Sequence, residues 1–154
     1  MRKELILNYK EALKMKSVLY KILFVMMIIP VFSTPAYAGV ADACRSIFNS
    51  TTDRDQKIIQ CIHSAYSAPV VYSCFDVFSS TTNRDQKILQ CVTAYSAPIV
   101  QSCFNIFRST TNRDQKVIQC ANTADSPSIV QSCFNIFSSA SDRDTKILSC
   151  IQGY

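Results

Sequence analysis

Glycine is nearly absent from this sequence, whose 154 residues contain only Gly39 and Gly153. A protein of β-strands joined by tight hairpins needs residues that adopt a positive φ at its turns, and glycine does so most readily. A fold built from β-hairpins is therefore poorly supported, and a helical fold is favoured.

Metal and redox motifs are also missing. The chain has eight cysteines but no C-x2-C or C-x4-C pair, the close spacing that zinc sites and redox centres use. The single histidine, His63, could assist a nucleophile only if nearby Cys61 were a free thiol. The sequence therefore predicts no catalytic residue, no metal ligand and no cofactor, and it predicts a surface or partly packed position for His63.

Most of the chain lacks a basic excess. Residues 1–38 hold six basic and two acidic residues, which accounts for +4 of the formal net charge of +5. The remaining residues carry a net charge of +1. Because nucleic-acid-binding domains usually carry a clustered basic patch, this distribution argues against a nucleic-acid partner.

The first 38 residues follow the order of a secretory signal peptide. Lysines precede an apolar run at 22–32, and the small residues Ala36 and Ala38 follow it. The run has about half of the roughly 20 residues that a membrane anchor needs, and Pro30 interrupts it. We expect cleavage after Ala38, with Met15 an alternative start, and an exported protein, periplasmic or secreted, with no membrane span after processing.

Residues 39–154 contain one unit four times. Each unit is an ungapped segment that begins and ends with cysteine, at 44–61, 74–91, 103–120 and 133–150. The units start every 29 or 30 residues, and the connectors between them carry Pro69, Pro98 and Pro127. A fixed period of this length is typical of solenoids, in which each repeat packs on its neighbours.

Each unit is predicted to form two short amphipathic helices. In the second unit, apolar residues recur at helical spacing after Ser67, which can cap the helix, and Pro69, which suits its first turn. The second helix starts with a pattern that resembles a capping box. The hydroxyl and carboxylate pairs are Thr52 and Asp55, Thr82 and Asp85, Thr111 and Asp114, and Ser141 and Asp144.

The cysteines allow two sensible disulfide patterns. Pairing within units links 44–61, 74–91, 103–120 and 133–150, uses every cysteine and has a constant spacing. Pairing across connectors links 61–74, 91–103 and 120–133 and leaves Cys44 and Cys150 unpaired. We favour the first pattern, although spacing alone does not fix connectivity. The predicted fold is all-α: a short solenoid of four disulfide-stapled helical hairpins, with eight short helices.

An Arg-Asp-x-Lys motif recurs in every unit. Its arginines stand in the first helical turn, where a cation faces the positive end of the helix dipole, so another interaction should favour them. One interpretation is a contact that ties each unit to its neighbour, and the alternative is an edge that binds an acidic partner. The residues are Arg54, Arg84, Arg113 and Arg143.

Two further patterns in the repeats predict ion pairs and core residues. Asp53 with Lys57, and Asp142 with Lys146, have the i, i+4 spacing of helical ion pairs. A phenylalanine four residues after the first cysteine is predicted to pack in the core, at Phe48, Phe78, Phe107 and Phe137. Arg45 stands where later units have Phe75, Phe104 and Phe134, as expected for an outer repeat with no preceding neighbour.

These features favour an exported, non-enzymatic repeat protein that serves as a protein-interaction or structural module, because repeat solenoids bind through extended surfaces. The main alternative is a secreted effector, toxin or inhibitor that acts on the surface of another cell. An enzyme with a site assembled from loops is a third possibility. The expected partner is a protein.

Overall fold

A computed structural model describes residues 35–154 and the side chains of residues 39–154. The predicted n-region and apolar run of the signal peptide lie outside the described residues. The expected cleavage point after Ala38 lies in the first helix.

All the regular secondary structure in the described part of the chain is α-helical. Its eight helices are α1 (Pro35–Phe48), α2 (Arg54–Ser64), α3 (Ala68–Phe78), α4 (Arg84–Cys91), α5 (Ala97–Phe107), α6 (Arg113–Thr123), α7 (Pro127–Phe137) and α8 (Arg143–Gln152). None of them combines the length and apolar character needed to cross a bilayer.

The helices form two layers. Each odd-numbered helix contacts the even-numbered helix that follows it, which makes four hairpins. The odd-numbered helices pack side by side in one layer, and the even-numbered helices pack side by side in the other. This arrangement is the predicted solenoid, because each repeat packs on its sequence neighbours.

One disulfide closes each hairpin. The bonds are Cys44–Cys61, Cys74–Cys91, Cys103–Cys120 and Cys133–Cys150, each with a sequence separation of 17. Pairing within units is thus confirmed, and the alternative across connectors is wrong. In the chain-entropy model a loop of this size contributes about 3 kcal/mol, which matters for helices that would be marginal alone.

Phenylalanines fill the space between the layers. Phe48, Phe78 and Phe107 are fully buried, as predicted. Phe137 is only half-buried, because the described residues contain no further hairpin packed on the outer side of the fourth repeat. At the opposite end of the solenoid Arg45 is exposed, as expected for an outer repeat, whereas Phe75, Phe104 and Phe134 are half-buried.

The turn inside each hairpin closes without glycine. Asp53, Asn83 and Asn112 adopt φ values of 56°, 55° and 54°. Asparagine and aspartate tolerate this left-handed region better than other side-chain-bearing residues. Next to them, threonine hydroxyls donate to the carbonyl oxygens that end the first helices, from Thr51 to Phe48, Thr81 to Phe78 and Thr110 to Phe107.

The predicted capping box is wrong. The second helices begin at the motif arginines. In the first three repeats the left-handed residue, not the threonine before it, occupies the N-cap position, and in the fourth repeat Asp142, not Ser141, occupies it with φ −111°. No side-chain cap bond forms there, because the aspartates of the pattern bind lysine and arginine instead. Ser67 does stand at an N-cap, but its hydroxyl accepts no cap bond. Pro69 has no N–H, and the N–H of Val70 donates to the Ser67 carbonyl oxygen.

Candidate functional site

The Arg-Asp-x-Lys motifs form a charged ladder along the edge of the solenoid where the hairpins turn. Each lysine of the first three repeats donates to the aspartate of the next repeat. The Nζ to Oδ2 distances are 2.7 Å for Lys57–Asp85, 2.5 Å for Lys87–Asp114 and 2.6 Å for Lys116–Asp144. Lysine and aspartate therefore make the direct charged contact between repeats.

The arginines bind within their own repeat. Arg84 Nη2 lies 2.7 Å from Asp85 Oδ1, and its Nε donates to the same oxygen. Arg113 and Arg143 contact Asp114 and Asp144 in the same way. The interpretation that arginine itself reaches the neighbouring repeat is wrong, because the adjacent carboxylate engages the guanidinium. Each of these aspartates thus accepts from its own arginine with one carboxylate oxygen and from a lysine of the preceding repeat with the other.

Partial burial distinguishes this ladder from an ordinary surface ion pair. The side chains of Asp85, Asp114 and Asp144 are only about a fifth exposed. Burial by itself would raise the pKa of each carboxyl, but hydrogen bonds from lysine and arginine outweigh it and lower the pKa below its usual range. The three carboxylates therefore favour the folded state at neutral pH.

The ladder ends differently at the two ends of the solenoid. Asp55 accepts from Arg54 within the described residues, and its side chain is 82% exposed. Lys146 turns back to Asp142 at 2.9 Å, so that predicted i, i+4 pair is confirmed. The predicted pair of Asp53 with Lys57 is wrong, because Lys57 binds Asp85 across the repeat interface.

The arginines retain limited access to solvent. The side chains of Arg84, Arg113 and Arg143 are about one third exposed, while Arg54 is 51% exposed. Arg84 also lines an open, polar groove of about 1040 Å³ between the first two repeats, where Gln56 and Gln86 are exposed. Partner binding by these arginines stays a prediction, and ion pairing is their observed role.

A pair of tyrosines lies at the opposite edge of the solenoid, where connectors join the repeats. Tyr66 and Tyr95 are 62% and 59% exposed, and their ring centroids are 4.8 Å apart with an interplanar angle of 39°. The Tyr66 N–H donates to the Val92 carbonyl oxygen at 3.4 Å, which joins the two connectors. The two rings form one exposed aromatic surface, which we call the tyrosine pair.

Sequence reasoning missed the tyrosine pair, although a signal was present. Tyr66 and Tyr95 occupy equivalent places in the first two connectors, and Tyr154 follows Cys150 as Tyr95 follows Cys91. The third connector has Asp125 at that place. Since the helices that lead to these connectors stack side by side, equivalent residues of adjacent repeats become neighbours in space.

His63 is exposed, and Cys61, whose free thiol a role for His63 in activating a nucleophile would require, is bonded to Cys44. Within the described residues, no cluster of three or more histidine, cysteine, aspartate or glutamate side chains could hold a metal ion. The geometry of this part of the chain thus offers charged and aromatic contact surfaces.

The fold defines the class of protein: an α-helical repeat protein whose hairpins are each closed by a disulfide. Comparison with protein-family models, with curated proteins and with solved structures finds no match.

Proposed function

We propose that this chain is an exported, non-enzymatic repeat protein that binds another protein through the tyrosine pair. The observation that carries the proposal is the side-by-side exposure of Tyr66 and Tyr95. The predicted signal peptide and the four disulfides support export, because disulfides persist in oxidising compartments.

Tyrosine suits a binding surface for physical reasons. Its ring offers a large apolar area, its hydroxyl can hydrogen-bond, and it loses little conformational entropy when a partner fixes it. Tyrosine is accordingly enriched at the energetic centres of protein interfaces. Here both rings stand on connectors between disulfide-closed hairpins, so the scaffold orders them before a partner arrives, which lowers the cost of binding.

The tyrosine pair lies apart from the charged ladder, which joins the repeats at the opposite edge. α2 runs from the ladder edge to the connector edge, and at about 1.5 Å per residue its 11 residues set the edges about 15 Å apart. Substitutions at the tyrosines can therefore change binding without removing a ladder contact.

Site-specific photo-crosslinking, carried out in producing cells and in mixtures of producing cells with other cells, tests the proposal. A photoreactive phenylalanine analogue replaces Tyr95, and a second protein carries it at Tyr154, which is equally placed after a cysteine and 72% exposed. We expect a discrete protein adduct at position 95, its loss on Tyr66→Ala, and no such adduct at position 154. Equal labelling at both positions, or none at position 95, would refute binding through the tyrosine pair.

The location of the captured protein distinguishes the alternatives. A partner in the producing cell's own envelope supports an interaction or structural module. A partner on the surface of another cell supports the secreted effector, toxin or inhibitor.

A further inference from the structure

Each end of the solenoid carries one half of the contact that joins the repeats: a lysine at one end and an aspartate at the other. At each of the three junctions between repeats, a lysine of one repeat binds an aspartate of the next. The last repeat has the same lysine, Lys146, with a side chain 45% exposed. The first repeat has the same aspartate, Asp55, with a side chain 82% exposed.

The second helices show matching apolar exposure at the first-repeat end. Ile59 is 55% exposed, whereas the equivalent residues of later repeats, which have a preceding neighbour, are half-buried or buried. Those residues are Leu89, Ile118 and Leu148. Ile59 therefore occupies a position that a preceding repeat would cover.

The first helices show the same trend at the last-repeat end. Ile136 is 63% exposed, and Phe137 beside it is half-buried. The residues equivalent to Ile136 in earlier repeats, which have a following neighbour, are buried or half-buried: Ile47, Val77 and Ile106. The two ends thus expose the two sides of the interface that joins repeats inside the chain.

We propose that copies of this protein associate head to tail, with Lys146 of one copy binding Asp55 of the next. The contact continues the internal repeat interface and uses its charge pairing. It is heterologous, because two different surfaces meet, so each added copy leaves a free end and the assembly grows as an open chain or closes as a ring. The inference does not depend on the tyrosine pair, which lies at the connector edge.

Two features make this junction weaker than the internal ones. Lys146 must leave Asp142, although both side chains are about half exposed and such pairs contribute little. Arg45 stands where an internal repeat supplies a half-buried phenylalanine, so less apolar surface is covered. Assembly is therefore reversible, dependent on protein concentration and weakened by salt.

Sedimentation velocity over a range of concentrations at low ionic strength tests the proposal on the oxidised protein, expressed from the full-length sequence. We expect the wild-type average mass to rise with concentration. Asp55→Lys and Lys146→Asp each place like charges at the junction, so each variant alone should associate roughly tenfold more weakly or stay monomeric. An equimolar mixture of the two variants should associate again, because the lysine introduced in one variant then faces the aspartate introduced in the other.

Matched controls separate the junction from general charge effects. Asp76→Lys makes the same charge change on the exposed surface of an internal repeat and should associate as the wild type does. Circular dichroism and melting temperature establish that each variant is folded. A wild type that stays monomeric at every concentration, single variants that associate normally, or a folded mixture that fails to recover would each overturn the proposal.

Discussion

Neutralising Asp114 should loosen the junction between the second and third repeats. Asp114 accepts from Lys87 of the preceding repeat and from Arg113 of its own, and only 20% of its side chain is exposed. Asp114→Asn keeps the size of the side chain and leaves two cations facing a neutral amide. Hydrogen bonds to charged groups contribute about 1.5–3 kcal/mol to stability, and partial exposure reduces this value. We therefore expect the free energy of unfolding to fall by about 1–2 kcal/mol.

A double-mutant cycle isolates the part of this loss that belongs to the contact between repeats. Lys87→Met keeps the aliphatic stem and removes the charge. Urea unfolding of the two single variants and the double variant should give a coupling of about 1 kcal/mol between Lys87 and Asp114. The melting temperature of Asp114→Asn should fall by roughly 4 °C per kcal/mol.

The chain supplies its own control for this cycle. Lys146 and Asp142 form an ion pair of the same type within one helix end, but both side chains are about half exposed. Lys146→Met and Asp142→Asn should show no measurable coupling at a protein concentration where the chains are monomeric. A Lys87–Asp114 coupling no larger than that of the control pair would refute the argument that the ladder holds the repeats together.

Two further predictions concern pH and the last disulfide. The lowered pKa values of Asp85, Asp114 and Asp144 contribute stability that is complete above the unfolded aspartate value of about 3.9 and is lost as pH falls through the folded values. The melting temperature should thus be flat from neutral pH to about pH 5 and drop below about pH 4, with a smaller drop in Asp114→Asn; an equal drop would contradict this origin. Replacing Cys133 and Cys150 by alanine should lower the free energy of unfolding by about 3 kcal/mol. In hydrogen exchange, the amides of α7 and α8 should lose protection while those of α3 and α4 stay protected, because the last hairpin packs on one neighbouring repeat. Uniform loss of protection along the chain would contradict it.

Repetition made much of the fold predictable. The constant separation between Cys103 and Cys120 and their counterparts identified the hairpin as the covalent unit, since a native disulfide needs a fixed geometry. Phe48, Phe78 and Phe107 could be placed in the core because the same side chain recurs at the same place in each repeat. Prolines indicated where three of the first helices begin, and the shortage of glycine indicated helices in place of β-hairpins.

The contacts between repeats were harder to predict. Lys57 has one aspartate four residues before it and another 28 residues after it, and sequence proximity favours the first. The structure selects the second, because stacking brings Asp85 of the next repeat within 2.7 Å of the lysine. The tyrosine pair was missed for the same reason, since its two members meet only after the repeats have stacked.

Mass spectrometry of the protein recovered outside the producing cytoplasm tests most directly whether this is an exported chain of disulfide-closed hairpins. We predict an N-terminus at Gly39 and a mass lighter than the reduced form by eight hydrogens, two for each of the four disulfides. In a non-reducing digest, Cys74 should be linked to Cys91 and Cys103 to Cys120. Retention of residues 1–38, free thiols in the recovered protein, or a peptide linking Cys61 to Cys74 would contradict the account.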